Sequence, residues 1–212
     1  MNSSGFTKEQ FEAIYPQGIE NHYWNHCRNR IIFDLLKKYS LTSKHLLEIG
    51  CGRGIVVQHL AAKGIKAEGC ELADVEIDSH LKNIVHTHTD ATQLPESKRK
   101  SFEVLLLLDV IEHIEQPEIF LAGLQQAFPN ANHYIITVPA CEELWSNYDE
   151  YNGHFRRYNL RMLFETGTST AMKIQRIQYF FHLLYLPARL LALLKKQRST
   201  RLETPRGLWR HV

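Results

Sequence analysis

Paired cysteines are missing from this 212-residue sequence. Cys27, Cys51, Cys70 and Cys141 form no CxxC and share no matched spacing. That argues against a disulfide framework or a cysteine zinc site and fits a reducing compartment. Long uncharged apolar runs are missing too, so no membrane-spanning helix is expected. Residues 1–16 lack a basic stretch followed by an apolar core, so no signal peptide is expected and a cytoplasmic location is. There is no internal repeat and no low-complexity segment. The twelve histidines are scattered. His86 and His88 would share one face of a strand, but no third ligand is near in sequence, so no metal site is expected.

What is present is ordinary for a soluble α/β domain with a sizeable core: 44% hydrophobic and 23% charged residues. The charge is unevenly spread. Residues 187–212 hold seven Lys/Arg and one acid, +6, while the rest of the chain holds 18 bases and 22 acids, −4. Such a tail is either a solvated basic end or a contact with an anionic surface. The apolar stretch before it, within residues 180–201, is too short and too interrupted by Pro187 to cross a bilayer. It reads as a core or dimer segment, or as peripheral membrane contact.

Periodicity predicts a helix over 20–39 whose apolar face is Trp24, Cys27, Ile31, Leu35 and Tyr39. Strands are predicted at 45–50, 66–72, 83–90, 102–110 and 133–140. Helices are predicted at 54–64 and 117–128, the first closed by Gly64 and the second carrying Pro117 in its first turn. The alternation of strand and helix predicts a parallel sheet with helices on both faces. Beyond Pro139 a polar aromatic loop leads to a helix at 161–172 and a sixth strand at 173–181. The chain divides into an N-terminal helical cap (1–40), a core (41–180) and an apolar, then basic, extension (181–212).

The stretch LLEIGCGRG, residues 46–54, places three alternating glycines behind a buried strand, with Glu48 two positions upstream. Glycine there permits positive φ and close approach of a ligand to the backbone. A dinucleotide fingerprint would need a third glycine at position 55, which is Ile55. The observed E-x-G-x-G-x-G instead resembles motif I of class I S-adenosylmethionine-dependent methyltransferases. Further segments continue the resemblance. Glu71 ends the second strand, 21 residues after Gly50, where the family keeps an acid for the ribose hydroxyls. Asp90, Ala91 and Thr92 follow the third strand, and Asp109, Val110 and His113 follow the fourth. The stretch ENHYWNHCRNR resembles the element that precedes motif I in bacterial members, with Trp24 and Arg28 as i,i+4 neighbours.

The resemblance implies a Rossmann-like, doubly wound, mostly parallel sheet of about seven strands. It implies S-adenosylmethionine as cofactor, S-adenosylhomocysteine as product, and a site built from Trp24, Arg28, Glu48, Gly50, Cys51, Gly52, Gly54, Glu71, Leu72, Asp90, Ala91, Thr92, Asp109 and Val110. Arg28 would pair with the methionine carboxylate. Two departures stand out. The segment between Glu71 and the third strand is short, so the usual second helix is clipped. Residues 201–212 offer no convincing seventh strand, which leaves either a very short strand or a truncated chain.

Methyl transfer mainly needs alignment of nucleophile, methyl carbon and sulfur, and a hydroxyl nucleophile also needs a base. Base candidates are His154, His113 and Asp149. Tyr148, Arg156, Arg157 and Tyr158 are candidates for the acceptor site, the arginines for an anionic group. The D…GHxRRY pattern is similar to one in bacterial relatives linked to sugar, lipid or surface-polymer modification. The strand-four end, LDVIEH, lacks the [DNS]-P-P-[YFW] of enzymes acting on planar amino groups, and no basic aromatic patch is present, so nucleic acid is not an expected partner. The expectation is transfer to a small-molecule, sugar or lipid-linked acceptor, at oxygen. The alternatives are a non-catalytic cofactor-binding sensor or scaffold and, disfavoured by Ile55, a nicotinamide oxidoreductase.

Overall fold

The structure, a computed structural model, describes residues 8–194 and 196–200. In chain order its elements are α1 (Lys8–Ile14), α2 (Tyr23–Lys38), β1 (Leu46–Ile49), α3 (Ile55–Ala62), β2 (Ala67–Cys70), β3 (Val85–His86) and α4 (Glu96–Arg99). They continue with β4 (Val104–Leu108), α5 (Pro117–Ala127), β5 (His133–Thr137), α6 (Asn147–Tyr151), α7 (Leu160–Ser169) and α8 (Tyr185–Leu193). The strands form one sheet in the order β3-β2-β1-β4-β5. The pairings of β1 with β2, β1 with β4 and β2 with β3 are all parallel, with Leu46 opposite both Ala67 and Val104.

The chain forms two compact units, one built on residues up to 108 with 129–135, the other on 109–128 and 136–200. In the first unit every residue of β4, VLLLL, is buried, as a central parallel strand covered on both faces requires. Ile32 and Leu36 of α2 and Val56, Val57 and Leu60 of α3 close on Leu46, Val104 and Leu106. Truncating one of these leucines to alanine should cost about 2–5 kcal/mol. In the second unit Leu121, Leu124 and Phe128 are buried, and α5 is tied to α7 by Gln125 Nε2 to the Thr170 carbonyl (3.1 Å) and Thr166 Oγ1 to Glu118 (3.2 Å).

Three expectations are corrected. The sheet has five strands among the described residues, not about seven. Residues 173–181 join no ladder: Ile174 packs on α7, where a Cβ on Gly167 would meet its Cδ1 at 2.5 Å. The other expected site for a strand, 201–212, lies outside the described residues. The third strand stops at His86, and His88 has φ +52°, so the two histidines do not share a strand face. Finally, α2 buries Asn25, Asn29, Ile32 and Leu36, and leaves Cys27 exposed. The Asn25 amide donates to the Ile19 carbonyl at 2.7 Å, which lets a polar residue hold a buried position.

Candidate active site

The glycine turn is as tight as its sequence demands. Gly50, Gly52 and Gly54 have φ of +73°, +56° and +79°. The N–H groups of Gly50 and Cys51 both donate to the Cys70 carbonyl (2.8 and 3.1 Å), which locks the turn to the end of β2. Gly54 is the N-cap of α3. At the tip of β2 the buried Glu71 carboxylate accepts from the N–H groups of Gly52 (2.9 Å) and Ala73 (3.0 Å). The acid is therefore fixed over the glycines by backbone donors. Glu48, on β1, is buried as well. Burial, reinforced by Glu48 and Glu71, pushes the Cys51 thiol well above its ordinary range, so it is an inert, neutral group.

Open space was expected over Gly52, and an aromatic ring is found there. A Cβ on Gly52 would overlap Tyr15 Oη. Tyr15 follows α1 and stacks on Phe11, with ring centroids 5.0 Å apart. Burial drives its phenol strongly upward, against the pull of the Arg28 charge. Sequence reasoning missed this residue. Its one signal was the i,i+4 aromatic pair in KEQFEAIY. Arg28 itself bonds the Asn25 side chain at 3.3 Å. Past the third strand, at the start of a short turn, Asp90 Oδ1 accepts from the Thr92 N–H and hydroxyl, both at 2.8 Å, and Ala91 is buried. Leu72 is exposed.

The second unit carries the acid–histidine chemistry. Asp109, after β4, adopts φ +59°, uncommon for a residue with a Cβ. Its N–H donates to the Thr137 carbonyl (2.9 Å), and the Thr137 hydroxyl donates to its carboxylate (3.2 Å). Val110 then leads into a tight turn, Ile111–His113. Glu112 in that turn is fully buried, and neither carboxylate oxygen has a hydrogen-bond partner. Burial, and then the Asp109 charge, push its pKa well above the ordinary carboxylate value. Burial and the neighbouring His154 press His113 down to about 4, so its imidazole is neutral. The two histidine rings meet edge to face, 4.7 Å apart.

Asp149 and Arg157, expected to face an acceptor, are turned inward on each other. Asp149 accepts from Arg157 Nε (2.8 Å) and Nη2 (3.0 Å), from His154 Nδ1 (2.9 Å) and, in a capping box at the start of α6, from the Ser146 N–H (2.9 Å). Both residues are buried. Burial alone would raise the Asp149 pKa, but the hydrogen bonds from His154 and Arg157 overcome it and bring it to about 2. An ionised carboxylate can only accept, so His154 Nδ1 carries a proton towards Asp149 and Nε2 is the ring nitrogen left to face away from it. Glu112, His113 and His154 place one ligand atom each within 4.8 Å of one another, a set that could hold a divalent cation. The three come from two distant segments, and sequence spacing did not connect them. Tyr158 is buried, its hydroxyl donating to the Ile111 carbonyl (3.3 Å). Arg156 donates to the Glu115 carbonyl (2.7 Å) and borders an open cleft of about 450 Å³ lined also by Glu142, Trp145, Phe155, Arg157 and Met162. Tyr148 is half-buried, with the Arg198 guanidinium 5.2 Å from its ring centroid.

A methyltransferase domain model matches residues 23–182. The ubiquinone biosynthesis O-methyltransferase of Rickettsia canadensis is 28% identical over 155 residues, which covers 64% of this chain and 65% of that protein. The mitochondrial ubiquinone biosynthesis O-methyltransferase of Schizosaccharomyces pombe is 26% identical over 131 residues, covering 55% and 46%. The chain thus spans less than two thirds of the length of these relatives. Among solved structures, phosphoethanolamine N-methyltransferase 2 of Haemonchus contortus, in complex with S-adenosyl-L-methionine, superposes with a TM-score of 0.55. It is 18% identical, over 78% of this chain and 42% of that one. The fold is the one these enzymes share.

Proposed function

The chain belongs to this methyltransferase domain family, and from that premise we propose that it transfers a methyl group from S-adenosylmethionine to an oxygen of a small-molecule acceptor. The observation that carries the reading is the turn of three positive-φ glycines with the Glu71 carboxylate pinned above it. Such a turn suits close approach of a nucleotide to the backbone, and a fixed carboxylate suits a pair of ribose hydroxyls. The cofactor supplies an activated methyl group on a neutral leaving group. The chain's own residues have to bind, align and remove a proton.

On the cofactor side the proposal assigns Glu48, Gly50, Cys51, Gly52, Gly54, Glu71 and Leu72, with Asp90, Ala91 and Thr92 at the adenine end. Trp24 and Arg28 are assigned to the amino-acid end, and Asp109 and Val110 complete the set. Tyr15 is added to it, because anything that approaches Gly52 meets this ring first. On the acceptor side His154 is the base, taking a hydroxyl proton at Nε2 while Asp149 holds Nδ1. Asp149 positions it from the Nδ1 side, and Arg157, held on Asp149, also lines the cleft. His113, neutral and packed on His154, is its neighbour and the second base candidate. Arg156, at the rim of the aromatic-lined cleft, would meet an anionic group of the acceptor. The oxygen assignment leans on the named activity of the curated relatives. The acceptor is proposed to be amphipathic or lipid-linked and met at a bilayer surface.

Release of S-adenosylhomocysteine tests the reading, with acceptors identified by native mass spectrometry of the purified protein. His154→Ala should lower turnover far more than it lowers cofactor affinity. Turnover that survives while affinity collapses would move His154 into the cofactor pocket and overturn its role. A sensor or scaffold would bind cofactor and release no product with any acceptor.

A further inference from the structure

Helix α8 is built inside out. Its protein-facing side carries Tyr185, whose hydroxyl donates to Glu143 Oε1 (2.9 Å), and Arg189, which donates to the Glu143 carbonyl (3.2 Å). Ala188, Ala192 and Arg189 are the half-buried positions of the helix. At 100° per residue these four positions share one face. Leu186, Leu190 and Leu193 fall on the other, 75%, 58% and 63% exposed, and Leu183 just before the helix is 91% exposed. A helix that completes a core turns its leucines inward and its arginine outward. This one does the reverse, and Glu143 holds it that way.

The charge along the sequence that carries it has one sign. The 37 residues between Glu165 and Glu203 contain no aspartate or glutamate and seven Lys/Arg. Lys196 and Arg198, just past the helix, are exposed. No helix among the described residues is long and apolar enough to cross a membrane. Pairing of this face with a second copy of itself would bring the two basic segments together, which like charges oppose.

We propose that the outward face of α8 is a docking surface for an anionic lipid bilayer. Leu183, Leu186, Leu190 and Leu193 enter the headgroup boundary, and Lys196 and Arg198 meet the anionic headgroups. Leucines inserted to that depth lose water contact, and flanking cations add attraction that salt screens. This inference rests on the surface alone, so it stands or falls separately from methyl transfer.

The test is co-sedimentation of the full chain with phosphatidylcholine vesicles, with and without phosphatidylglycerol, at low and high salt. Wild type should pellet with the anionic vesicles at low salt, and less so at high salt. Leu186→Ser/Leu190→Ser/Leu193→Ser should weaken partition by at least about tenfold. Lys196→Gln should weaken it about fivefold. The three leucines are exposed, so circular dichroism and melting of the triple variant should match wild type. Should the triple variant misfold, Leu186→Asp alone carries the same test. Wild type that stays in the supernatant with anionic vesicles at low salt overturns the proposal, and so does a folded variant that pellets as wild type does. Equilibrium sedimentation that finds a wild-type dimer and a variant monomer, without vesicle binding, assigns the face to a second copy instead.

Discussion

Asp149→Ala should cost this protein more than most core truncations. Its carboxylate is fully buried and takes two hydrogen bonds from Arg157, one from His154 and one from the Ser146 N–H. Deleting it leaves Arg157, 8% exposed, as a buried cation without its counter-ion. Breaking a buried ion pair from one side costs about 3–5 kcal/mol, whereas replacing both partners by apolar residues of similar volume is often near neutral. Asp149→Leu with Arg157→Met should therefore cost at least about 2 kcal/mol less than the two single changes added together. Urea unfolding monitored by circular dichroism gives each value. The pH dependence provides a second arm. Burial opposes ionisation, but His154 and Arg157 outweigh it, and the folded pKa of about 2 lies below the ordinary 3.8. A depressed acid stabilises fully above the unfolded pKa and loses that contribution as pH falls through the folded one. Over that window the wild type should lose about 2 kcal/mol, after allowance for solvent screening, and Asp149→Asn should not show this limb. If Asp149→Ala costs less than about 1 kcal/mol, or keeps the wild-type acid limb, the pair is solvated and the reasoning fails.

Gly52→Val should abolish cofactor binding in calorimetry, since its backbone sits at φ +56° and its Cβ would overlap Tyr15 Oη. The strain alone should cost about 1–3 kcal/mol of stability. Glu71→Ala should weaken cofactor binding by about 1.5–3 kcal/mol for each ribose hydrogen bond lost; unchanged affinity would remove Glu71 from the site. For His113 the folded pKa of about 4 lies below the ordinary 6.5, chiefly through burial and then His154. Its contribution to stability is complete above 6.5 and is lost as pH falls towards 4. Melting curves across that window should slope for the wild type and flatten for His113→Gln.

The parts of the fold legible in the sequence are those where one physical demand dominates. VLLLL reads as a central strand because both faces are covered, and the glycine turn reads as a tight strand-to-helix turn because three positive-φ positions fall together there. The buried face of α2 was not legible, because Asn25 and Asn29 occupy it and a polarity count rotates the helix away from them. Asp149 was misread for a different reason. Ser146 and Asp149 stand at capping-box spacing, and that pattern, taken at face value, assigns the acid to a helix start and not to an open site. Glu112 and Tyr15 gave no signal strong enough to use. Their surroundings come from the fold, His113 and His154 beside Glu112 and the glycine turn beside Tyr15.

Asp109 carries a consequence for anyone who tries to make this protein hardier. A side chain at φ +59° is a standing invitation to glycine, and asparagine tolerates the same backbone. A library sorted by melting temperature sets relief of the backbone by glycine against the contacts of the Asp109 side chain, the hydrogen bond from Thr137 among them. A glycine winner of such a sort has discarded the carboxylate. On the role proposed for Asp109 in the cofactor site, thermal selection and selection for product should pull position 109 in opposite directions, and two sorted pools that agree there would remove that role.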